Sequence, residues 1–401
     1  MDAIVIVGAG ESGTRAAFTL REAGYAGTVT LVGVEPHLPY ERPPLSKPEN
    51  GAVTMKALCS SQALLDAGIA YLHGVGATAL DAGRRALTLS DGRALAYDKL
   101  LLATGARPRK LVCQGAERAL DFRTYDDAKA VLSSVDASRS VAIIGGGLIG
   151  MELAAVLGGK GLDVSIIEAA PKPLGRAVPP HFAARLHSRH IEEGVHFHLG
   201  QGVSEIRHNT VLLAGGTSVP ADIVIAAIGV QPEIALAETA GLATGNGILT
   251  DAFLRTSDPD IFAAGDCAAI EQYGGGHVRF ESWRNARAQA ETAARNMAGG
   301  LEAFTAIPWF WSDQYDLGLQ VAGLPQQDHQ CVMRALPTGE LAFYLDDGRL
   351  VAAAGLGVGN SLAKDIKLSE MLIAASVRPD PAVLADPDVN LKALLKNAKA
   401  A

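Results

Sequence analysis

A glycine pattern that occurs twice, each time at the end of a buried strand, constrains this chain more than any other feature. Ile4-Val5-Ile6-Val7 runs into Gly8-Ala9-Gly10-Glu11-Ser12-Gly13, and Val141-Ala142-Ile143-Ile144 runs into Gly145-Gly146-Gly147-Leu148-Ile149-Gly150. Each copy is followed by a helix-periodic stretch and then by a second strand that ends near an acid. The first glycine makes the strand-to-helix turn, the second lets backbone approach a pyrophosphate, and the third lets helix pack on strand. The helix N-terminus then offers N–H groups and the positive end of its dipole to the phosphates. Two copies predict two bound dinucleotides.

The tails match as well, which points to duplication. Asp98-Lys99-Leu100-Leu101-Leu102-Ala103-Thr104-Gly105 parallels Asp222-Ile223-Val224-Ile225-Ala226-Ala227-Ile228-Gly229, and Ala106-Arg107-Pro108 leaves as Val230-Gln231-Pro232 does. A strand that ends in glycine beside the crevice lets a cofactor lie against bare backbone.

The acids separate the two cofactors. Asp163-Val164-Ser165-Ile166-Ile167 ends in Glu168, where a carboxylate accepts hydrogen bonds from the adenosine ribose hydroxyls and repels a ribose phosphate. That predicts NADH rather than NADPH. Arg176 is the residue that reaches either a 2'-phosphate or the NADH ribose and pyrophosphate, and the acid is expected to dominate it. In the first copy Thr28 to Val34 precedes Glu35, the candidate ribose ligand, with Arg42 close downstream. Much later, Ile261-Phe262-Ala263-Ala264-Gly265-Asp266 is another strand ending in glycine. It implies that the chain returns to its first domain, as a cofactor as long as FAD requires.

Composition excludes several classes. With 401 residues, 48% of them hydrophobic, the chain suits two or three domains with a packed α/β core. The net charge of -8 argues against a nucleic-acid binder. The longest apolar runs, such as Ile223 to Val230, are strand length, so no membrane span is expected; nothing near Met1 resembles a cleavable signal, and the expected location is cytoplasmic. Cys59, Cys113, Cys267 and Cys331 form no C-x-x-C pair, so neither a redox disulfide nor a metal site is expected, and each reads as a small buried residue. His181, His187 and His190 follow no ligand spacing and are expected to be solvated.

Glu41-Arg42-Pro43-Pro44-Leu45-Ser46-Lys47, Ala103-Thr104-Gly105, Gly145 to Glu152, Ala263 to Asp266 and Pro308-Trp309-Phe310-Trp311-Ser312-Asp313-Gln314 together resemble the oxygenase-coupled NADH:ferredoxin reductases, the family of putidaredoxin reductase and of the reductases of aromatic-ring dioxygenases. The similarity spans nearly the whole chain. It implies an α/β fold with two Rossmann-like dinucleotide-binding domains of the glutathione-reductase-like kind and a C-terminal α/β interface domain. FAD would occupy residues 1–110 and 240–305, NADH residues 111–239, and the interface domain residues 306–401.

The resemblance also implies residue roles. FAD would be held by Gly8, Gly10, Ser12 and Gly13 on its pyrophosphate turn, Lys47 near the flavin ring, and Ala77 and Arg123 on its walls; Ala103, Thr104 and Gly105 would end one strand against it, Gly265 and Asp266 would end the return strand with Asp266 on the ribityl chain, and Trp283 would lie by the ring. NADH would be held by Gly145, Gly147, Leu148, Ile149, Gly150, Glu168 and Gly229. Lys47, Glu152 and Trp311 are the candidate catalytic residues, Glu152 pairing with Lys47 at the ring edge and Trp311 facing the C-terminal domain. One departure is Val34, where relatives often carry an acid, which leaves ribose binding to Glu35 or weakens it.

The implied reaction passes hydride from NADH to FAD, then single electrons to a two-iron two-sulfur ferredoxin that feeds a terminal oxygenase. Two alternatives stand beside it. One is an NADH oxidase or a peroxide or disulfide reductase of the same fold, the peroxide or disulfide reductase needing a redox cysteine where Ser46 stands; the other is an NADH-sensing flavoprotein, which needs no turnover. Past residue 306, Leu341 to Leu345, a turn at Asp346 to Arg349, and Leu350 to Ala354 predict a hairpin sheet followed by helices. Arg284, Arg287 and Arg295 share a predicted helix as candidates for an acidic partner or as plain surface charge.

Overall fold

A computed structural model describes residues 2–48, 52–175, 178–272 and 275–400. The chain divides into two compact units. The first holds Met1–Pro44, Thr54–Arg107 and Val230–Ala306; the second holds Leu45–Val53, Pro108–Gly229 and Ile307–Ala401.

In the first unit, Ala3–Val7 sits at the centre of a five-stranded parallel sheet in the order Ile261–Ala263, Lys99–Leu102, Ala3–Val7, Thr28–Gly33, Ile69–His73. A parallel strand covered on both faces reads as an unbroken apolar run, which is why Ile4 to Val7 and Leu100 to Leu102 do not alternate. On one face the Glu11–Glu22 and Trp283–Met297 helices meet through Ala16, Ala17, Leu20, Ala290, Ala293, Ala294 and Met297. Alanines let them approach closely enough for Leu31 and Leu101 to close the core beneath. The other face carries Leu87, Leu89 and Tyr97 from the antiparallel Ala77–Asp81, Ala86–Leu89, Ala94–Ala96 sheet and its exit.

The second unit repeats the device. His196–Leu199, Asp163–Glu168, Ser140–Ile144, Ile223–Ala226 and Leu120–Asp121 form a parallel sheet in that order. Beside it stands a five-stranded antiparallel sheet, in the order Trp309–Gln314, Leu317–Gly323, Arg349–Val358, Gly339–Asp346, Gln330–Leu336. Alternation along Gly339–Asp346 sends Ala342 and Tyr344 into a core shared with the Leu148–Gly159 and Pro180–Glu192 helices, and Leu341, Phe343 and Leu345 into one closed by Ile366, Leu372, Leu384 and Leu395. The expected hairpin and following helices are therefore present. Arg334, buried on the outermost strand, donates to the carbonyls of Val383, Leu384 and Val389 and ties that segment to the sheet.

Two expectations are corrected. His190 is fully buried, because it shares a helix face with Phe182 and Leu186 at four-residue spacing; His181 is exposed and His187 half-buried. Cys331 is exposed on an outermost strand and Cys59 and Cys113 are half-buried, so only Cys267 is a core cysteine. Among the described residues no helix is long and apolar enough to cross a membrane.

Candidate functional site

The two glycine turns superpose in their physics. Gly8 has φ +109° and Gly145 φ +110°; a Cβ would stand 2.1 Å from Ala103 O at the first and 2.4 Å from Ala227 O at the second. A Cβ on Gly13 would lie 1.8 Å from Gly8 O, and one on Gly150 2.1 Å from Gly145 O. These four glycines are fixed by close backbone approach. At Gly10 and Gly147, the N-caps of the two helices, a Cβ meets no atom within 4 Å, and neither helix has a side-chain cap. The middle glycine of each turn is thus spared a side chain by something other than the chain itself, as backbone approach of a pyrophosphate demands.

The first crevice carries a further sign. Ser12 Oγ is buried without a hydrogen-bond partner among the described residues, an arrangement whose cost of about 1–3 kcal/mol is relieved by an acceptor entering the turn. Facing it, Gly265 has φ +85°, and a Cβ there would press on Ser12 Cβ at 3.1 Å. Gly265 N–H donates to Gln289 Oε1 at 2.8 Å, and the carbonyl of half-buried Asp266 accepts from Arg279 Nη1. No helix follows Asp266, since the next element is the strand Ala268–Glu271. Thr104 Oγ1 donates to Glu233 O at 2.6 Å, while Gly105 holds φ +70° with open space around it. Ala103 is buried, and Ala77 is half-buried at the start of its strand. Trp283 Nε1 donates to Glu11 Oε2 at 2.9 Å; burial pushes that carboxyl up, against the pull of the indole and of Arg287. An FAD pyrophosphate fits this set.

Glu35 is less available than its position suggests. Its Oε1 accepts from Arg42 Nη2 at 2.7 Å and its Oε2 from Tyr40 Oη at 2.5 Å, so Arg42 and Glu35 serve as one ion pair. Val34 is 73% exposed and contributes no acceptor.

In the second crevice Glu168 is pinned by backbone. Its Oε2 accepts from Gly146 N at 2.7 Å and its Oε1 from Ala170 N at 2.8 Å, which leaves lone pairs for two hydroxyls. Leu148 and Ile149 start the helix, Ile149 being an apolar side chain left 44% exposed beside the open Gly147. Gly229 has φ +87°, as Gly105 has φ +70° in the other copy. Arg123 N–H donates to Asp127 Oδ2 just before the capping box of the Tyr125–Val135 helix. Arg176 lies outside the described residues.

Also in the second unit, the candidate catalytic residues meet in one polar cluster. Glu152 is 5% exposed on the second turn of the Leu148–Gly159 helix, so it is a core carboxyl rather than a first-turn dipole partner. Ser46 Oγ donates to its Oε2 at 2.5 Å and Ser312 Oγ to its Oε1 at 2.6 Å. Lys47 Nζ is 3.9 Å from Glu152 Oε1 but 2.6 Å from Asp313 Oδ2, and it stands 5.0 Å from the centre of the Trp311 ring. The close partner of Lys47 is therefore Asp313, with Glu152 the second. Trp311 Nε1 donates to Asp313 Oδ2 at 3.1 Å, and Trp309 stacks on Trp311 with ring centres 5.2 Å apart. Burial raises the Glu152 carboxyl above its ordinary range; the Lys47 charge and the two serine donors oppose that, and Asp313 adds to it.

Ser46, Ser312, Asp313 and Gln314 lay inside quoted motifs without a site role. Period-two alternation carries the missing signal: Ser312 and Gln314 share the face buried at 1% each, an unusual place for two polar residues, and Trp311 and Asp313 share the other.

Two parallel sheets, each with an uncapped helix behind an open glycine turn, define a protein built to hold two dinucleotides. The pyridine nucleotide-disulphide oxidoreductase family matches residues 2–290 and the reductase C-terminal family residues 309–395, and the chain belongs to the former, whose enzymes use FAD and NAD(H). It is 39% identical to the ferredoxin-NAD(+) reductase component of the anthranilate 1,2-dioxygenase system of Burkholderia cepacia, over 98% of this chain and 99% of that one. Putidaredoxin reductase of Pseudomonas putida is 37% identical over 100% of this chain and 98% of its own. The crystal structure of the covalent putidaredoxin reductase-putidaredoxin complex superposes with a TM-score of 0.94 at 35% identity, covering 100% of this chain and 99% of that one.

Proposed function

We propose that this chain is an FAD-dependent NADH:ferredoxin reductase that passes electrons from NADH, through FAD, to a two-iron two-sulfur ferredoxin, and through it to a terminal oxygenase, of the aromatic-ring dioxygenase kind. The observation that carries this reading is the pair of matched crevices, one with the unsatisfied Ser12 hydroxyl and one with the pinned Glu168 carboxylate. FAD, when bound, supplies the exchange between a two-electron donor and one-electron acceptors.

The chain's own residues bind and orient. Residues 1–110 and 240–305 are assigned to FAD, 111–239 to NADH and 306–401 to the interface domain. Gly8, Gly10, Ser12 and Gly13 take the FAD pyrophosphate, with Gly265 and Asp266 on the return strand; Gly145, Gly147 and Gly150 take that of NADH, with Glu168 on its ribose. Lys47, held by Asp313 and Glu152, would supply an oriented ammonium donor to the flavin ring edge. The protein works in the cytoplasm.

The disulfide-reductase alternative lacks its nucleophile. Ser46 stands in the place before Lys47, committed to Glu152, and Cys267 is fully buried with its thiol pushed up by burial. Steady-state turnover with NADH and purified two-iron two-sulfur ferredoxin tests the reading: rapid ferredoxin reduction is expected, and its absence alongside peroxide or disulfide turnover would overturn it.

A further inference from the structure

The Glu152 carboxylate is the end of a longer polar chain. Gln314 Nε2 donates to Ser312 Oγ at 3.1 Å, His190 Nε2 lies 3.0 Å from Gln314 Oε1, and Tyr315 Oη lies 3.1 Å from His190 Nδ1. Ser312, Gln314 and His190 are each at most 1% exposed. All belong to the second unit.

The Gln314 amide fixes the protons along the chain. Ser312 Oγ accepts from the Gln314 Nε2–H, so its own proton goes to Glu152. Gln314 meets Ser312 with its amide nitrogen, which only donates, so its oxygen faces His190 and must accept. His190 therefore carries its proton on Nε2, and Nδ1 accepts from the Tyr315 hydroxyl. Every donor points toward Glu152, and successive hydrogen bonds polarise one another in a buried chain.

The outer end is built at some cost. Tyr315 and Asp316 form the two-residue turn between the paired strands Trp309–Gln314 and Leu317–Gly323, and Tyr315 adopts φ +56°, a region that suits glycine or asparagine. That conformation brings its hydroxyl to His190, with the Arg189 guanidinium over the ring at 5.1 Å from its centre.

We propose that Tyr315, His190, Gln314 and Ser312 form a one-way hydrogen-bond relay that holds Glu152 as a carboxylate, and that Gln314 and His190 are positioning residues for the NADH-to-flavin step. Its part in that step rests on the reductase reading; its effect on Glu152 does not. The relay counters the burial of Glu152 beside Asp313, and so keeps two acidic groups available to Lys47.

The charged surroundings leave room for this effect. Glu152 faces Lys47, Ser46, Ser312 and Asp313, while the neighbouring strand Asp163–Glu168 brings only Asp163 and Glu168 at its ends, the latter bound to Gly146 and Ala170. Burial pushes the His190 pKa down to about 4 and keeps it neutral; the Gln314 acceptor opposes that, His187 and Arg189 add to it, and Glu193 opposes it.

The test is the titration of Glu152 by carbon-13 NMR of glutamate-labelled full-length protein, assigned with Glu152→Gln, in Gln314→Leu, His190→Phe and Tyr315→Phe. Each variant removes a donor behind Ser312, which weakens the Ser312 hydrogen bond to the charged carboxylate and so raises the midpoint. The expected rise is about one unit, a tenfold gain in proton affinity, for Gln314→Leu and His190→Phe, and a smaller rise for Tyr315→Phe, which alters one hydroxyl at the outer end. The acid limb of the pH profile for flavin reduction by NADH should move with it, at unchanged apparent affinity for NADH. An unmoved midpoint in Tyr315→Phe and in whichever buried variant folds overturns the relay. A moved midpoint in a protein whose flavin NADH does not reduce upholds the relay on Glu152 and overturns its role in the reductase.

Discussion

Replacing Glu168 by glutamine should largely abolish the preference for NADH over NADPH. The carboxylate is fixed by Gly146 N at 2.7 Å and Ala170 N at 2.8 Å, so it does not swing away from a second negative charge. A ribose phosphate about 5 Å from it, at an effective dielectric near 20, meets a repulsion of about 3 kcal/mol per pair of charges. At about 1.4 kcal/mol per factor of ten, that is roughly a hundredfold in kcat/KM, the preference expected of the unaltered protein. Glutamine keeps one acceptor oxygen for the backbone and removes the charge. The NADPH-to-NADH ratio of kcat/KM, measured by flavin-linked reduction of an artificial acceptor at low salt, should then rise by about one to two orders of magnitude. An unchanged ratio in a variant of normal flavin content would refute the assignment of Glu168 to the ribose.

Lys47→Ala should slow flavin reduction by NADH while leaving the protein folded; unchanged transfer rates in rapid mixing would remove its assigned role. Gly265→Ala forces a side chain into φ +85° against Ser12, at about 1–2 kcal/mol for the backbone alone, and should lower the flavin-to-protein absorbance ratio. His190 has its pKa pushed down to about 4 by burial, so below the unfolded value near 6.5 the unfolded chain takes up a proton that the fold refuses. Its contribution is therefore present above about pH 6.5 and lost as the pH falls toward about 4, which amounts to about 2 kcal/mol between about pH 7 and pH 5. Chemical denaturation at the two pH values should show that loss, and His190→Phe should flatten it. Arg334→Met leaves the carbonyls of Val383, Leu384 and Val389 without their donor and should lower the melting temperature with flavin content unchanged.

What could be read in the sequence was what depends on near neighbours. The two glycine turns are local conformations, and they reappear with φ angles of +109° and +110°; the C-terminal hairpin is set by a turn between two apolar runs, and it lies at Gly339–Asp346 and Arg349–Val358. What escaped were meetings across the chain. Lys47 pairs with Asp313, 266 residues away, and no spacing rule reaches that far. Glu152 and Ser312 are 160 residues apart, and only the fold makes them partners. His190 was within reach: Phe182, Leu186 and His190 form a stripe at four-residue spacing, and a histidine on an apolar stripe is a buried histidine. Cys331 shows the opposite error, a residue type of buried habit placed at the exposed start of an outermost strand.

As a reductase of this kind, one chain would take electrons in pairs from NADH and hand them on singly. Anaerobic stopped-flow mixing of the FAD-loaded protein with NADH, then with oxidised two-iron two-sulfur ferredoxin, tests it directly. Fast bleaching of the flavin by NADH, slow bleaching by NADPH, and rapid return of the flavin absorbance as ferredoxin is reduced are expected. Bleaching by NADH with no reoxidation by any ferredoxin offered would contradict the electron-transfer role, and no bleaching would contradict the pairing of the two cofactors.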